Sequence, residues 1–211
     1  KIEAGTFEIE PTPYDLIELL DQIEQMFILR AQDAALGFSF ESNLQPTHQL
    51  WGDSKRIGQI LLNLLSNAFK FTEKGDITLK CWEDGEKLYF SVKDTGIGMS
   101  NEVVNRLFKP FEQADNSISR RYGGTGLGLY ISYSLASMMR GRIDVSSEEG
   151  TGTRFVLSLP YQESDLPIDR DKEKQPDFCA SFVGNILIVE DIQEMQLFES
   201  RLLQTMGDIT V

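Results

Sequence analysis

From Arg56 to Thr72 the chain reads RIGQILLNLLSNAFKFT. At about 100° per residue, Ile57, Ile60, Leu61, Leu64, Leu65 and Ala68 fall on one apolar arc, which predicts a helix with that face in a core. Asn63, Asn67 and Lys70 follow at i, i+4 and i+7, a polar stripe roughly 120° from the centre of the arc. Asp53 or Ser54 is placed to cap the helix, because a short oxygen-bearing side chain accepts from free first-turn amides. The spacing of Leu16, Leu19, Leu20, Ile23, Phe27 and Ala31 predicts a second amphipathic helix from Asp15 to about Ala35.

Alternation of apolar and polar residues marks the strands. It runs through Thr6 to Glu10, with Pro11 and Pro13 interrupting before the first helix, through Gly37 to Ser42, and briefly through Gln49 to Gly52. Gly75 to Trp82 and Lys87 to Lys93 alternate on either side of Glu83-Asp-Gly-Glu86, the pattern of a hairpin. Arg142 to Ser147 and Thr153 to Pro160 complete the set. Between them, Gly124, Gly126 and Gly128 precede a helix whose buried stripe is predicted as Leu127, Ile131, Leu135 and Met138, with Gly141 closing it. Phe108 and Phe111 flank Pro110 as a packing cluster. Glu112 to Tyr122, EQADNSISRRY, has no apolar period and is expected as a flexible loop. After Pro160 the composition shifts: Tyr161 to Pro176 reads as a linker, Asn185 to Val189 as a buried parallel strand, and Gln193 to Met206 as a helix.

Composition narrows the class. The 211 residues allow one ordinary domain plus a fragment, and 41% hydrophobic with 25% charged residues describes a globular protein. A net charge of −13 argues against nucleic acid as a partner, since backbone affinity depends on basic residues neutralising phosphates. Cys81 and Cys179 are far apart and lack metal spacing, so both are expected as free thiols in a reducing cytoplasm. No run reaches the length of a membrane span and no signal peptide opens the chain, which starts at Lys1 as an excised piece would. His48, the only histidine, stands in a proline-bearing loop and is expected to have no catalytic duty.

Candidate chemistry gathers around the central helix. Two amides and an ammonium on one stripe suit a phosphate and its metal: an amide oxygen is a hard, neutral ligand for Mg²⁺, and lysine supplies a point charge. An amphipathic helix with a solvated face has the same pattern, so the helix alone does not separate the two. Asp94 ends a strand, where its carboxylate can accept from an exocyclic amino group such as adenine N6, or form an ordinary Asp-Thr-Gly turn. Gly96 and Gly98 let backbone come close to a flat base or take positive φ. Bare amides at a glycine-opened helix start attract an anion.

In order and spacing, these segments resemble the N, G1, F, G2 and G3 boxes of the histidine-kinase catalytic domain, within the superfamily shared with gyrase, MutL and heat-shock chaperones. The boxes are the Asn63–Lys70 helix, Asp94-Thr-Gly-Ile-Gly-Met99, Leu107 to Phe111, Gly123-Gly-Thr-Gly-Leu-Gly-Leu129 and Gly150-Thr-Gly-Thr153. The resemblance implies an α/β two-layer sandwich, the Bergerat fold, with a mixed sheet covered on one face by helices and an ATP lid. It implies ATP and Mg²⁺ as cofactors, with the metal between Asn67 and the phosphates and with Asn63 and Lys70 completing a polar wall. Asp94 and Thr153 would select adenine, and Ile97 and Met99 would line the base. Gly124, Thr125, Gly126, Leu127 and Gly128 would hold phosphate through their amides, joined by Arg120 or Arg121 of the lid.

Lys1 to Gly5 resembles the end of a dimerisation-domain helix, residues 6–160 the catalytic domain, 161–184 a linker, and 185–211 the start of a receiver domain as in hybrid kinases. The implied partners are the dimerisation and histidine-phosphotransfer domain of the same kinase and a receiver domain, in a homodimeric parent. The expected location is cytoplasmic, with any membrane anchor outside this stretch. Two rivals stand beside this reading. An ATP-hydrolysing clamp needs a general base where Asn63 stands, and an amide does not accept a proton near neutral pH. A nucleotide-binding scaffold without phosphotransfer would carry the same ATP-contacting residues.

Overall fold

A computed structural model of the chain describes residues 9–44, 49–107, 128–160 and 162–166. All of them belong to the first of the two units into which the chain divides, Lys1–Ile168. The expectations for Lys1 to Gly5, His48, the Phe108–Phe111 cluster, the Glu112–Tyr122 loop, Cys179 and the receiver-like segment lie outside the described residues.

The elements run β1 (Thr12–Asp15), α1 (Leu16–Ala34), β2 (Gly37–Ser42), β3 (Gln49–Gly52), α2 (Ser54–Phe71), β4 (Asp76–Asp84), β5 (Lys87–Asp94), α3 (Asn101–Val104), α4 (Gly128–Met138), β6 (Arg142–Glu148) and β7 (Gly152–Pro160). Five strands form a mixed sheet in the order β2-β4-β5-β7-β6, in which only β2 and β4 are parallel. Strand alternation turns Ile77, Leu79 and Cys81 of β4, Leu88, Phe90 and Val92 of β5, and Phe155, Leu157 and Leu159 of β7 to the same side, where all are buried. Helices cover that side. The opposite face carries Trp82 stacked on Tyr89 at 5.2 Å and the Lys80–Glu41 ion pair.

The predicted arc of α2 is the centre of this core: Ile57, Ile60, Leu61, Leu64, Leu65 and Ala68 are all buried, together with Phe69. Each such large side chain contributes about 2 kcal/mol of burial. Asp53 is the cap, its Oδ1 accepting from the Arg56 amide at 3.0 Å while Oδ2 accepts from the Glu10 amide at 2.9 Å. One carboxylate therefore starts the central helix and fixes the segment entering the domain. Leu16, Leu20, Ile23, Phe27 and Ala31 bury the predicted stripe of α1, and Asp15 caps it through the Ile17 and Glu18 amides. Phe27, Phe38 and Phe69 meet at 5.2 to 6.2 Å, which joins α1, β2 and α2 at one end of the core.

Four local expectations are corrected. Ile9 and Glu10 are not strand; the first strand is Thr12–Asp15, through Pro13, because antiparallel pairing with β3 (Pro13 opposite Trp51) overrides the proline on a two-stranded edge. Met138 of α4 is 43% exposed; Leu135 is buried as expected, and Ser132 and Ala136 are buried beside it. Gly141 is not the left-handed residue of the helix end. Arg140 has φ 58°, its amide donates to Ser137 O and the Gly141 amide to Ala136 O, the paired bonds of a Schellman cap. Glycine is needed at 141 because a Cβ there would strike Ser158 O of β7. Gln162 to Ser164, placed by sequence at the start of a linker, still bond to β3: Trp51 N donates to Gln162 O and Ser164 N to Gln49 O.

Candidate functional site

The site is built at the end of the sheet where β5 delivers Asp94. Alternation points this residue to the helix side with Phe90 and Val92, so the carboxyl is only 6% exposed. Its Oδ1 accepts from the Gly96 amide at 2.9 Å and, across the β5–β7 ladder, from the Thr153 amide at 3.2 Å. Among the described residues no hydrogen bond falls on Oδ2. Burial pushes the Asp94 carboxyl above the usual carboxylate range, and the two backbone bonds partly oppose that shift. One oxygen is thus held by the fold, and the other is left as an acceptor of fixed direction.

Thr153 is 8% exposed, and its hydroxyl lies 2.9 Å from Ser147 Oγ, its register partner on β6. Ser147 Oγ also accepts from the Met99 amide at 2.8 Å and donates to Gly152 O at 3.0 Å. Asp94, Thr153, Ser147 and Met99 therefore belong to one connected polar network. Met99 packs its side chain against the core, whereas Ile97 is 37% exposed.

The two glycines of the loop after β5 have reasons of their own. Gly98 has φ 63°, and a Cβ there would strike Glu148 O; at Gly96 it would strike Phe71 O. Ile97 N donates to Phe71 O at 3.1 Å and Gly150 N to Ile97 O at 2.7 Å, so the loop is clasped between the end of α2 and the β6–β7 turn. Gly98 thus takes the positive φ that was one of the two expectations for this pair, and the close approach seen at both glycines is to the protein's own backbone.

Asn63, Asn67 and Lys70 lie on one face of α2, as expected, each half-buried. Asn63 does more than line a wall. Its Nδ2 donates to Ser132 Oγ at 2.9 Å, and a Cβ at Gly128 would stand 2.5 Å from its Oδ1, so it fastens α2 onto the first turns of α4. Lys70 Nζ lies 5.6 Å from the ring centre of Phe71. Asn67 makes no side-chain hydrogen bond among the described residues, which leaves its amide oxygen available. Arg120, Arg121, Gly124, Thr125, Gly126 and Leu127 lie outside the described residues.

No group of three or more His, Cys, Asp or Glu able to hold a metal occurs among the described residues. The donor set fits Mg²⁺ in another way, since that ion keeps several waters and takes substrate phosphate oxygens with few protein groups. An apolar hollow of about 110 Å³ between Tyr14, Leu50, Ile57, Leu88, Met139 and Leu159 lies at the other end of β5 and β7 and shares nothing with this site. Sequence reasoning missed Ser132 and Ser147. Counting back across the β6–β7 turn would have placed Ser147 opposite Thr153; nothing in the local pattern marks Ser132.

Residues 52–163 match the family described as "Histidine kinase-, DNA gyrase B-, and HSP90-like ATPase". The aerobic respiration control sensor protein ArcB of Escherichia coli K12 is 34% identical over 214 residues, covering 99% of this chain and 27% of ArcB. Full-length ShkA, solved in complex with AMPPNP, superimposes with a TM-score of 0.67 at 33% identity, over 78% of this chain and 34% of ShkA. The nucleotide-free catalytic domain of histidine kinase ThkA gives 0.62 at 28% identity, over 72% of this chain and 95% of that domain. The chain spans 27% of the length of ArcB and of the circadian kinase CikA. The family match covers more than half of the sequence and takes in Asn63, Asn67, Lys70, Asp94 and Thr153; the chain belongs to the histidine kinase-, DNA gyrase B- and HSP90-like ATPase family.

Proposed function

We propose that this domain binds Mg-ATP and donates the γ-phosphoryl group to a histidine on a dimerisation domain outside the chain, in two-component signal transduction. The observation that carries the reading is Asp94: one carboxylate oxygen is fixed by two backbone amides, the other is left to accept from a ligand donor, and the loop that follows is clasped to the end of α2. The sensor-kinase names of the relatives and the AMPPNP bound to ShkA support it. Adenine's amino group matches Asp94 and Thr153, while Asn67 supplies the metal ligand and Asn63 and Lys70 the rest of the polar wall. The amides from Gly124 to Gly128 and the Arg120 and Arg121 side chains hold the phosphate tail.

Mg²⁺, when bound, neutralises charge on the transferring phosphoryl group. The protein's own part is to hold the nucleotide in line with the acceptor, which removes most of the entropic barrier to a bimolecular step. An ATP-hydrolysing clamp is disfavoured on a specific ground: Asn63 is an amide already donating to Ser132, and it cannot act as a base toward water. The proposal extends to a homodimeric, cytoplasmic parent kinase with a receiver domain downstream. No helix among the described residues is long and apolar enough to cross a membrane.

The test is transfer of labelled γ-phosphate, with the dimerisation helices restored upstream. Acid-labile, base-stable label on those helices is expected. Nucleotide binding without any transfer would replace this reading with a binding scaffold, and release of free phosphate alone would favour a hydrolase.

A further inference from the structure

We propose that Ser147 is a positioning residue for base selection: it consumes the Thr153 hydroxyl proton, so that Thr153 faces the ligand only as an acceptor. The inference rests on the ATP reading above and deepens it.

The argument is proton accounting. A serine hydroxyl has one proton and two lone pairs. Ser147 Oγ has three neighbours: the Met99 amide at 2.8 Å, which can only donate, Gly152 O at 3.0 Å, which can only accept, and Thr153 Oγ1 at 2.9 Å. The serine proton goes to Gly152 O and one lone pair takes the Met99 N–H. What remains toward Thr153 is a lone pair, so Thr153 must be the donor in that contact. The reverse assignment sets Ser147 Oγ and Gly152 O face to face with no proton between them, a repulsive contact in a half-buried site.

With its proton spent, Thr153 has only lone pairs left for a ligand. Asp94 offers a further acceptor in its free oxygen, while its other oxygen takes the Thr153 amide. The base pocket is therefore acceptor-lined on both residues. A purine with a 6-amino group brings the matching donors. A bridging water can also spend one proton on Thr153 and give the other to an unprotonated ring N1. A 6-oxo purine turns a carbonyl toward both acceptors at position 6 and fails there, although a water that donates to Thr153 can still accept its N1–H. Selection is thus set by a serine one strand away that need not touch the nucleotide.

The experiment measures ATP and ITP affinity by calorimetry, with Mg²⁺, for the wild type, Ser147→Ala and Ser147→Thr, alongside thermal unfolding. ITP differs from ATP only at position 6 and N1, so their ratio isolates this edge. Wild type should prefer ATP. Ser147→Ala returns the Thr153 proton and should lower the ATP-over-ITP preference by about three- to tenfold, the size of one hydrogen bond gained or lost, and Ser147→Thr should retain it. In a Thr153→Val background, Ser147→Ala should leave the ratio unmoved. Should Ser147→Ala fail to unfold cooperatively, Ser147→Cys supplies a similar volume with weak hydrogen bonding and the same readout. Equal weakening of both nucleotides, or an unchanged ratio, would overturn the role of Ser147 while leaving ATP binding intact. A wild type that binds neither nucleotide would instead overturn the ATP reading, and this inference with it.

Discussion

The Asn63 side-chain amide donates to Ser132 Oγ at 2.9 Å, a bond between α2 and α4 across 69 residues of sequence. Ser132 is buried, and Gly128 at the start of the same helix lies under the Asn63 carbonyl. A residue expected to serve ligand binding is thus also what sets α4 against α2. Ser132→Ala leaves a half-buried amide donor without its partner and should cost about 1–2 kcal/mol in urea unfolding. Asn63→Ala should cost a similar amount, and the two losses should fall well short of additive in the double variant, because each removes the same bond. Fully additive losses would mean that the bond contributes nothing to stability.

Asp94→Asn keeps an oxygen for the Gly96 and Thr153 amides but turns a donor toward the ligand. The fold should survive, and ATP affinity should fall about tenfold or more while ITP affinity falls less. Calorimetry on both nucleotides checks this, with circular dichroism as the control for folding. Unchanged ATP affinity would remove Asp94 from the base pocket.

The same substitution has a pH signature. Burial raises the Asp94 carboxyl in the folded state above its ordinary 3.8, so the folded protein holds that proton more tightly than the unfolded chain. Asp94 therefore favours folding most at pH below 3.8, and this contribution is lost as pH rises through the higher folded value. Ligand-free Asp94→Asn, which never ionises, should gain stability relative to wild type across that window and keep the advantage at neutral pH. Urea midpoints from pH 3 to 7 measure the difference, and a wild type that gains on the variant as pH rises would reverse the assigned direction.

Glycines separate by what surrounds them. Gly85, in the β4–β5 turn, has φ 60° with nothing within 4 Å of a built Cβ, so Gly85→Ala should cost only about 1 kcal/mol of left-handed strain. Gly96→Ala drives a methyl into the Phe71 carbonyl at the end of α2 and should cost about 3 kcal/mol or more, or displace the loop. Thermal unfolding of the two variants ranks them. Equal costs would show that the clasp between the loop and α2 is loose.

Much of this architecture is legible one segment at a time. The arc of Ile57 to Ala68 and the stripe of Leu16 to Ala31 needed only the helical period, because a face that must leave water imposes its spacing on the residues that form it. The hairpin of β4 and β5 and the Asp53 cap are likewise local, each arising from residues a few positions apart. The order of the motifs around Asn67, Asp94 and Thr153 was enough to indicate the family, since each places a chemistry-bearing residue at a strand end or helix face. Tertiary structure decided what depends on partners distant in sequence. Pro13 joins a strand because β3 runs beside it, Met138 is exposed because Ser132 and Ala136 turn inward, and Gly96 and Gly141 are glycines because other backbone passes over them. The polarity of Thr153 belongs to the same class. A hydroxyl can donate or accept, and only the three neighbours that folding brings to Ser147 determine which of the two it presents.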